Sequence, residues 1–177
     1  MGMETVFEHL KGRHLNVDLH RPMVDEVERV ATFFLWNLSG ALVGYQQYRP
    51  DQPSKQMKND PKSGRYFTYK KQPTIGVWGV ESLYLTPQVV FITEGVFDAA
   101  RLTNKGYSAL AVLSNDPAPE LQNWLGFLNR KVVAVCDSDK AGRRLAKFGD
   151  VSVFTEDKDL GDADDSYVDW LLKEYGQ

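Results

Sequence analysis

At 177 residues the chain is long enough for one domain with a proper core, or for one domain with a small appendage. Its 42% hydrophobic and 25% charged content is that of an ordinary globular protein, and no segment has the unbroken apolar length of a membrane span. A formal net charge of −3 excludes binding of polyanions by bulk positive charge, and the single cysteine, Cys136, excludes an internal disulfide or a multi-cysteine zinc module.

Residues 4 to 14 carry Val6, Phe7 and Leu10 at helical spacing and end on Lys11-Gly12-Arg13, which predicts a short amphipathic helix with a glycine stop. His9, His14 and His20 lie nearby, but no cysteine accompanies them and their spacings match no metal-ligand pair. From Val30 to Arg49, two apolar runs flank Asn37-Leu38-Ser39-Gly40, a hairpin signal. Pro50 to Gly64 is polar and proline-bearing, hence a loop, and further strands are expected at Arg65 to Tyr69 and Thr74 to Val80.

After Pro87 the pattern becomes a strict alternation of buried run and amphipathic segment. Strands over 89–93, 108–113, 131–136 and 151–154 are followed by helices over 96–105, 118–129, 140–148 and 163–175. Gly106 and Gly149 stand at expected helix stops, and Pro117 and Pro119 flank the start of the second helix. Such alternation gives right-handed crossovers and a parallel sheet.

Two of these strands end on acids. Val89-Val90-Phe91-Ile92-Thr93 runs into Glu94-Gly95, and Lys131 to Cys136 runs into Asp137-Ser138-Asp139. Ligands of open α/β sheets bind outside the carboxyl ends of the strands, so these three carboxylates are placed to share one crevice. Carboxylate oxygens are hard ligands suited to magnesium or manganese, and the Asp137-x-Asp139 spacing fits such a site. Asp98, on the first turn of the next helix, either faces the same mouth or simply answers the helix dipole. In the acidic run 156–165, Asp159 and Asp162 are assigned to an outer or second-metal role, with Asp162 alternatively capping helix 163–175, while Asp164 and Asp165 read as solvated first-turn acids. Arg49, Lys55, Lys58, Lys62, Arg65, Lys70 and Lys71 form a basic stretch ahead of this acidic half, which is either what a polyanion-processing enzyme requires or a solvated charged loop of the same composition. No Ser-His-Asp set and no Gly-rich phosphate loop with its lysine occurs.

Ile92-Thr93-Glu94-Gly95-Val96-Phe97-Asp98, Val132 to Arg143 with its Asp137-Ser138-Asp139-Lys140-Ala141-Gly142 core, and Lys158-Asp159-Leu160-Gly161-Asp162-Ala163 resemble the three motifs of the TOPRIM domain, in the variant of DnaG-type and phage primases. The resemblance covers about residues 88 to 175. It extends more weakly to the hairpin Phe33 to Arg49 with Pro53-Ser54-Lys55-Gln56, and to Trp78-Gly79-Val80. It implies a TOPRIM-like α/β parallel sheet flanked by helices over 88–177, preceded over 1–87 by a small α+β subdomain with an antiparallel hairpin.

The resemblance further implies that Glu94, Asp137 and Asp139 are catalytic ligands of Mg2+ or Mn2+, supported by Asp98, Asp159 and Asp162. Arg49, Lys55, Lys70 and Lys71, with Arg143, would hold ribonucleoside triphosphate or nucleic-acid backbone. The implied reaction is two-metal phosphoryl transfer that builds RNA primers on single-stranded DNA in a bacterial, or phage-infected, cytoplasm. Primases of this kind also carry a zinc module and a helicase region; their absence here implies a partner helicase or a separate zinc-binding template-recognition subunit. A TOPRIM nuclease, or a non-catalytic replisome or recombination module that binds DNA, is the alternative.

Overall fold

The computed structural model describes residues 2–113 and 119–177. Thr5 and Glu8 form a reciprocal capping box that starts α1 (Val6–Gly12), and a four-residue α2 (Val17–His20) follows, capped by the Asn16 side chain. Gly12 lies inside α1; the chain turns out at His14, which takes φ 63°. Neither α2 nor the three-residue β1 is long enough to show a period in the sequence.

Four strands form an antiparallel sheet in the order β1 (Met23–Asp25), β2 (Val30–Trp36), β3 (Leu42–Tyr48) and β4 (Tyr66–Lys70). The expected hairpin is β2 and β3. Asn37 closes it by accepting the Ser39 and Ala41 backbone N–H groups at 3.0 and 2.8 Å, and Gly40 takes the positive φ the turn requires.

The second sheet is parallel, in the order β6 (Ala109–Ala111), β5 (Val89–Thr93), β7 (Lys131–Cys136), β8 (Val151–Phe154). Its helices are α3 (Val96–Asn104), α4 (Pro119–Phe127), α5 (Lys140–Ala146) and α6 (Asp165–Tyr175). All five residues of β5 are buried, because both faces of the sheet are covered. Phe91, Val133 and Val135 join a cluster that runs through Phe97 and Leu160 to Leu10, Phe33 and Tyr48 of the first half. Ile92, Ala134 and Cys136 face a second cluster with Leu110, Trp124 and Leu145. From β5 the chain crosses to β6 on one side; from β7 it crosses to β8 on the other. The adjacent ends of β5 and β7 therefore form the switch point at which such sheets open a crevice.

Three expectations change. Thr74 to Val80 is not a strand. Val77 and Trp78 instead make single bridges, to Trp36 of the first sheet and Ala111 of the second, so this segment crosses between sheets instead of extending either. Gly79, at φ 96°, allows the passage: a Cβ there would meet the Ala109 carbonyl oxygen at 2.5 Å. Asp162 does not cap the last helix, which begins at Asp165 after Asp164, since Leu160–Asp162 folds as a 3-10 turn. Finally, Gly106 is a left-handed stop at φ 88°, while Gly149 is packed on the Ala134 backbone. Pro117 lies outside the described residues.

Candidate metal centre

Glu94 follows the last residue of β5, Asp137 follows the last residue of β7, and Asp139 is the N-cap of α5. One ligand oxygen from each lies within 4.8 Å of the others. The turn between Asp137 and α5 is unusually tight. The Gly142 N–H donates to Asp139 Oδ1 at 2.8 Å, and Ser138 Oγ donates to the Thr155 carbonyl at the head of the neighbouring loop. These contacts hold the Asp137-Ser138-Asp139 backbone from both sides.

Electrostatics at Glu94 are unfavourable as it stands. Burial, and then the Asp137 carboxylate beside it, pushes Glu94 up to about 8, and its Oε1 is buried with no hydrogen-bond partner among the described residues. A buried oxygen without a donor, inside a set of hard oxygen ligands, is what a divalent cation would satisfy, so the residues fit Mg2+ or Mn2+. Asp98 is pushed up to about 7, chiefly by burial, although its Oδ1 accepts the Gly161 N–H at 2.7 Å. Asp159 is raised by burial and by Asp137. Cys136 is raised to about 12 by burial, which leaves it a core thiol.

These shifts have a sign. Glu94 titrates near 8 in the fold against an ordinary 4.5, so between those values the folded chain keeps a proton the unfolded chain has released. The contribution is fully stabilising below the lower value and is lost as pH rises through the upper one; Asp98, moved from 3.8 to about 7, acts the same way. In chelator, the melting temperature is expected to fall from about pH 5 to pH 8, and manganese to restore it. A flat or rising profile would contradict this assignment.

Asp98, Asp159 and Asp162 line the same cleft, of about 980 Å³, outside the three-oxygen cluster. Asp98 ties α3 to the turn that carries Asp162. That turn is also held by Arg101, a buried side chain of α3 that donates to the carbonyl of Ala163 at 2.6 Å and to Asp165 Oδ1 at 2.9 Å. Asp165 is thus an ion-pair partner of Arg101 and not merely solvated. The sequence signal was a lone arginine among Ala99, Ala100 and Leu102.

Lys55, Lys58, Arg65 and Arg13 line the same cleft, with the Arg65 guanidinium donating to the carbonyls of Gln52, at 2.8 Å, and Pro53. Arg13 was not singled out from sequence. Its guanidinium lies 4.1 Å from the Phe97 ring centroid, and Nη2 lies 3.5 Å from Asp162 Oδ1. Arg49, Lys70, Lys71 and Arg143 are not among the described residues that line this cleft. Lys70 pairs with Gly44 and stands two residues, about 7 Å, along β4 beyond Thr68, the last residue of that strand to line the cleft. Lys71 follows it and is exposed, as is Arg143 on α5. Arg49 is half-buried, and its Nη1 has no partner among the described residues.

No protein-family model and no curated protein matches the chain. Solved structures do. The RNA polymerase domain of Mycobacterium tuberculosis primase DnaG superposes with a TM-score of 0.58 at 18% identity, covering 98% of this chain and 62% of that one. The primase fragment of the bacteriophage T7 primase-helicase gives 0.60 at 11% identity, covering 91% and 69%. A DnaG primase catalytic domain bound to single-stranded DNA gives 0.60 at 15% identity, covering 92% and 61%.

The chain has the fold of the primase catalytic core. It is an α/β TOPRIM-like fold, with the antiparallel sheet first and the parallel sheet after it. The chain spans 53% of the length of another solved DnaG catalytic core that it matches. No described helix is long and apolar enough to cross a membrane.

Proposed function

We propose that the chain is a primase-like nucleotidyltransferase that extends an RNA primer on single-stranded DNA. The observation that carries this reading is the meeting of Glu94, Asp137 and Asp139 at the switch point of a primase-core fold, with Glu94 and Asp137 lining one cleft together with Lys55 and Lys58. Glu94, Asp137 and Asp139 would hold Mg2+ or Mn2+. When bound, such ions make the primer hydroxyl more acidic and neutralise charge on the triphosphate and the departing pyrophosphate.

The chain's own residues supply position. Lys55 and Lys58 line the cleft with the acids and present cations to phosphate oxygens there, while Arg65 fixes the adjoining loop through the Gln52 and Pro53 carbonyls. Arg13, stacked on Phe97, braces the Asp162 side of the same cleft. Asp98 and Arg101 hold the loop bearing Asp159 and Asp162, which keeps Asp159 beside Asp137 at the edge of the three-acid cluster. A helicase, or a separate zinc-binding subunit, would supply template selection.

Incubation with single-stranded template, labelled ribonucleotides and magnesium or manganese tests the reading. Short RNA products that require template are expected. Template cleavage with manganese and no nucleotides would instead identify a nuclease, and nucleic-acid binding with no turnover in any metal would identify a binding module.

A further inference from the structure

The outer face of the antiparallel sheet carries rings where a solvated face would carry charges. Phe34 stands opposite Tyr45, and Tyr45 opposite Tyr69, while Phe33 and Leu35 between them turn inward and are buried. Tyr45 lies 5.6 Å from Tyr69 and 6.3 Å from Phe67 between ring centroids, and Tyr69 is 51% exposed.

This face is continuous with the cleft. β4 is the edge strand, and Tyr66 and Thr68 line the cleft while Tyr69 belongs to the outer side; Phe67 borders the cleft and packs on Tyr45 as well. Lys55 and Lys58 stand at the cleft end of this edge, and Lys70 and Lys71 at the other. A helix-docking face would be built of branched aliphatic ridges. Here the middle of the face is Tyr and Phe beside Gln47 and Thr32, with no carboxylate in register on β2, β3 or β4 and Asp25 at the far edge on β1, opposite Val30, a surface suited to planar, hydrogen-bonding bases on an anionic backbone.

We propose that this face is a stacking surface for single-stranded nucleic acid passing to or from the cleft. Bases lie on Tyr69, Tyr45 and Phe67, and phosphates lie against Lys71. The inference rests on the reading of the cleft as a nucleic-acid site.

The full chain is titrated, in chelator and without nucleotides, into labelled oligothymidylate and into an abasic oligomer of equal length. Tyr69→Ala is expected to weaken oligothymidylate binding by about 5- to 100-fold, the range for loss of one stacked base. Tyr69→Phe should keep wild-type affinity, and the abasic oligomer should bind weakly to wild type and Tyr69→Ala alike. Unchanged oligothymidylate affinity in Tyr69→Ala, with an unchanged melting temperature, would overturn the proposal. So would equal losses for both oligomers, or an effect confined to self-association in sedimentation velocity. No turnover is measured: a base-dependent Tyr69 effect in a chain that makes no primers would keep the stacking surface and sink the polymerase reading. Primer synthesis with no Tyr69 effect would do the reverse.

Discussion

Replacing Glu94 with glutamine is expected to abolish primer synthesis while leaving the fold intact. Glutamine keeps the size of the side chain and one carbonyl oxygen, but it removes the charge that a divalent ion needs and places an amide beside Asp137. Loss of the charge stabilisation that such an ion provides is expected to lower kcat on the order of 10³-fold, and Asp137→Asn should do the same. Stability should move the other way. Glu94 is held far above its ordinary pKa by burial and by Asp137, so neutralising it removes repulsion in the metal-free protein. The Glu94→Gln chain in chelator should therefore melt at or above the wild-type temperature near pH 8, a split that a misfolded variant cannot produce. Activity within tenfold of wild type would show that Glu94 is not a ligand.

The second large effect is expected at Gly142→Ala. A Cβ at this position would lie 1.8 Å from the Asp137 carbonyl oxygen, 2.8 Å from its carbonyl carbon and 2.9 Å from its nitrogen. All three are backbone atoms at the end of a buried strand, so they cannot swing aside as a flexible side chain would. Either α5 lifts from β7 or the Asp137 peptide rotates, and both break the bond from Gly142 N–H to Asp139 Oδ1. A cost of about 3–5 kcal/mol is expected, with a fall in melting temperature of roughly 6–20 °C. Thermal unfolding by circular dichroism checks the first part, and manganese titration checks the accompanying loss of affinity. A melting temperature within a degree or two of wild type would mean that the turn has slack.

The acids were legible because a buried run that ends on a carboxylate places it at a strand end whatever the rest of the chain does. Glu94 and Asp137 are of this kind, and the alternation after Pro87 gave the parallel sheet. The order β6-β5-β7-β8 was not legible, since it depends on which side each crossover takes. The basic residues were legible only as a stretch. Which lysines line the cleft depends on how the loop after β3 folds back on β4, where the Lys55 carbonyl accepts the Tyr66 N–H, so that Lys55 and Lys58 reach the cleft and Lys70 does not. Arg13 and Arg101 escaped because each acts through partners remote in sequence: Phe97 and Asp162 for one, the loop carbonyls near Ala163 and Asp165 for the other. Val77 and Trp78 read as strand for the same reason: their apolar pattern reports burial, but a single bridge to each of two sheets buries them equally well.

Anomalous diffraction from crystals grown with manganese tests the central claim most directly, that acids far apart in the chain hold one cation. A peak within about 2.5 Å of oxygens of both Glu94 and Asp137 is expected, with Asp139 beside it. A well-ordered Glu94 turned away from Asp137, with the peak elsewhere or missing, would contradict it.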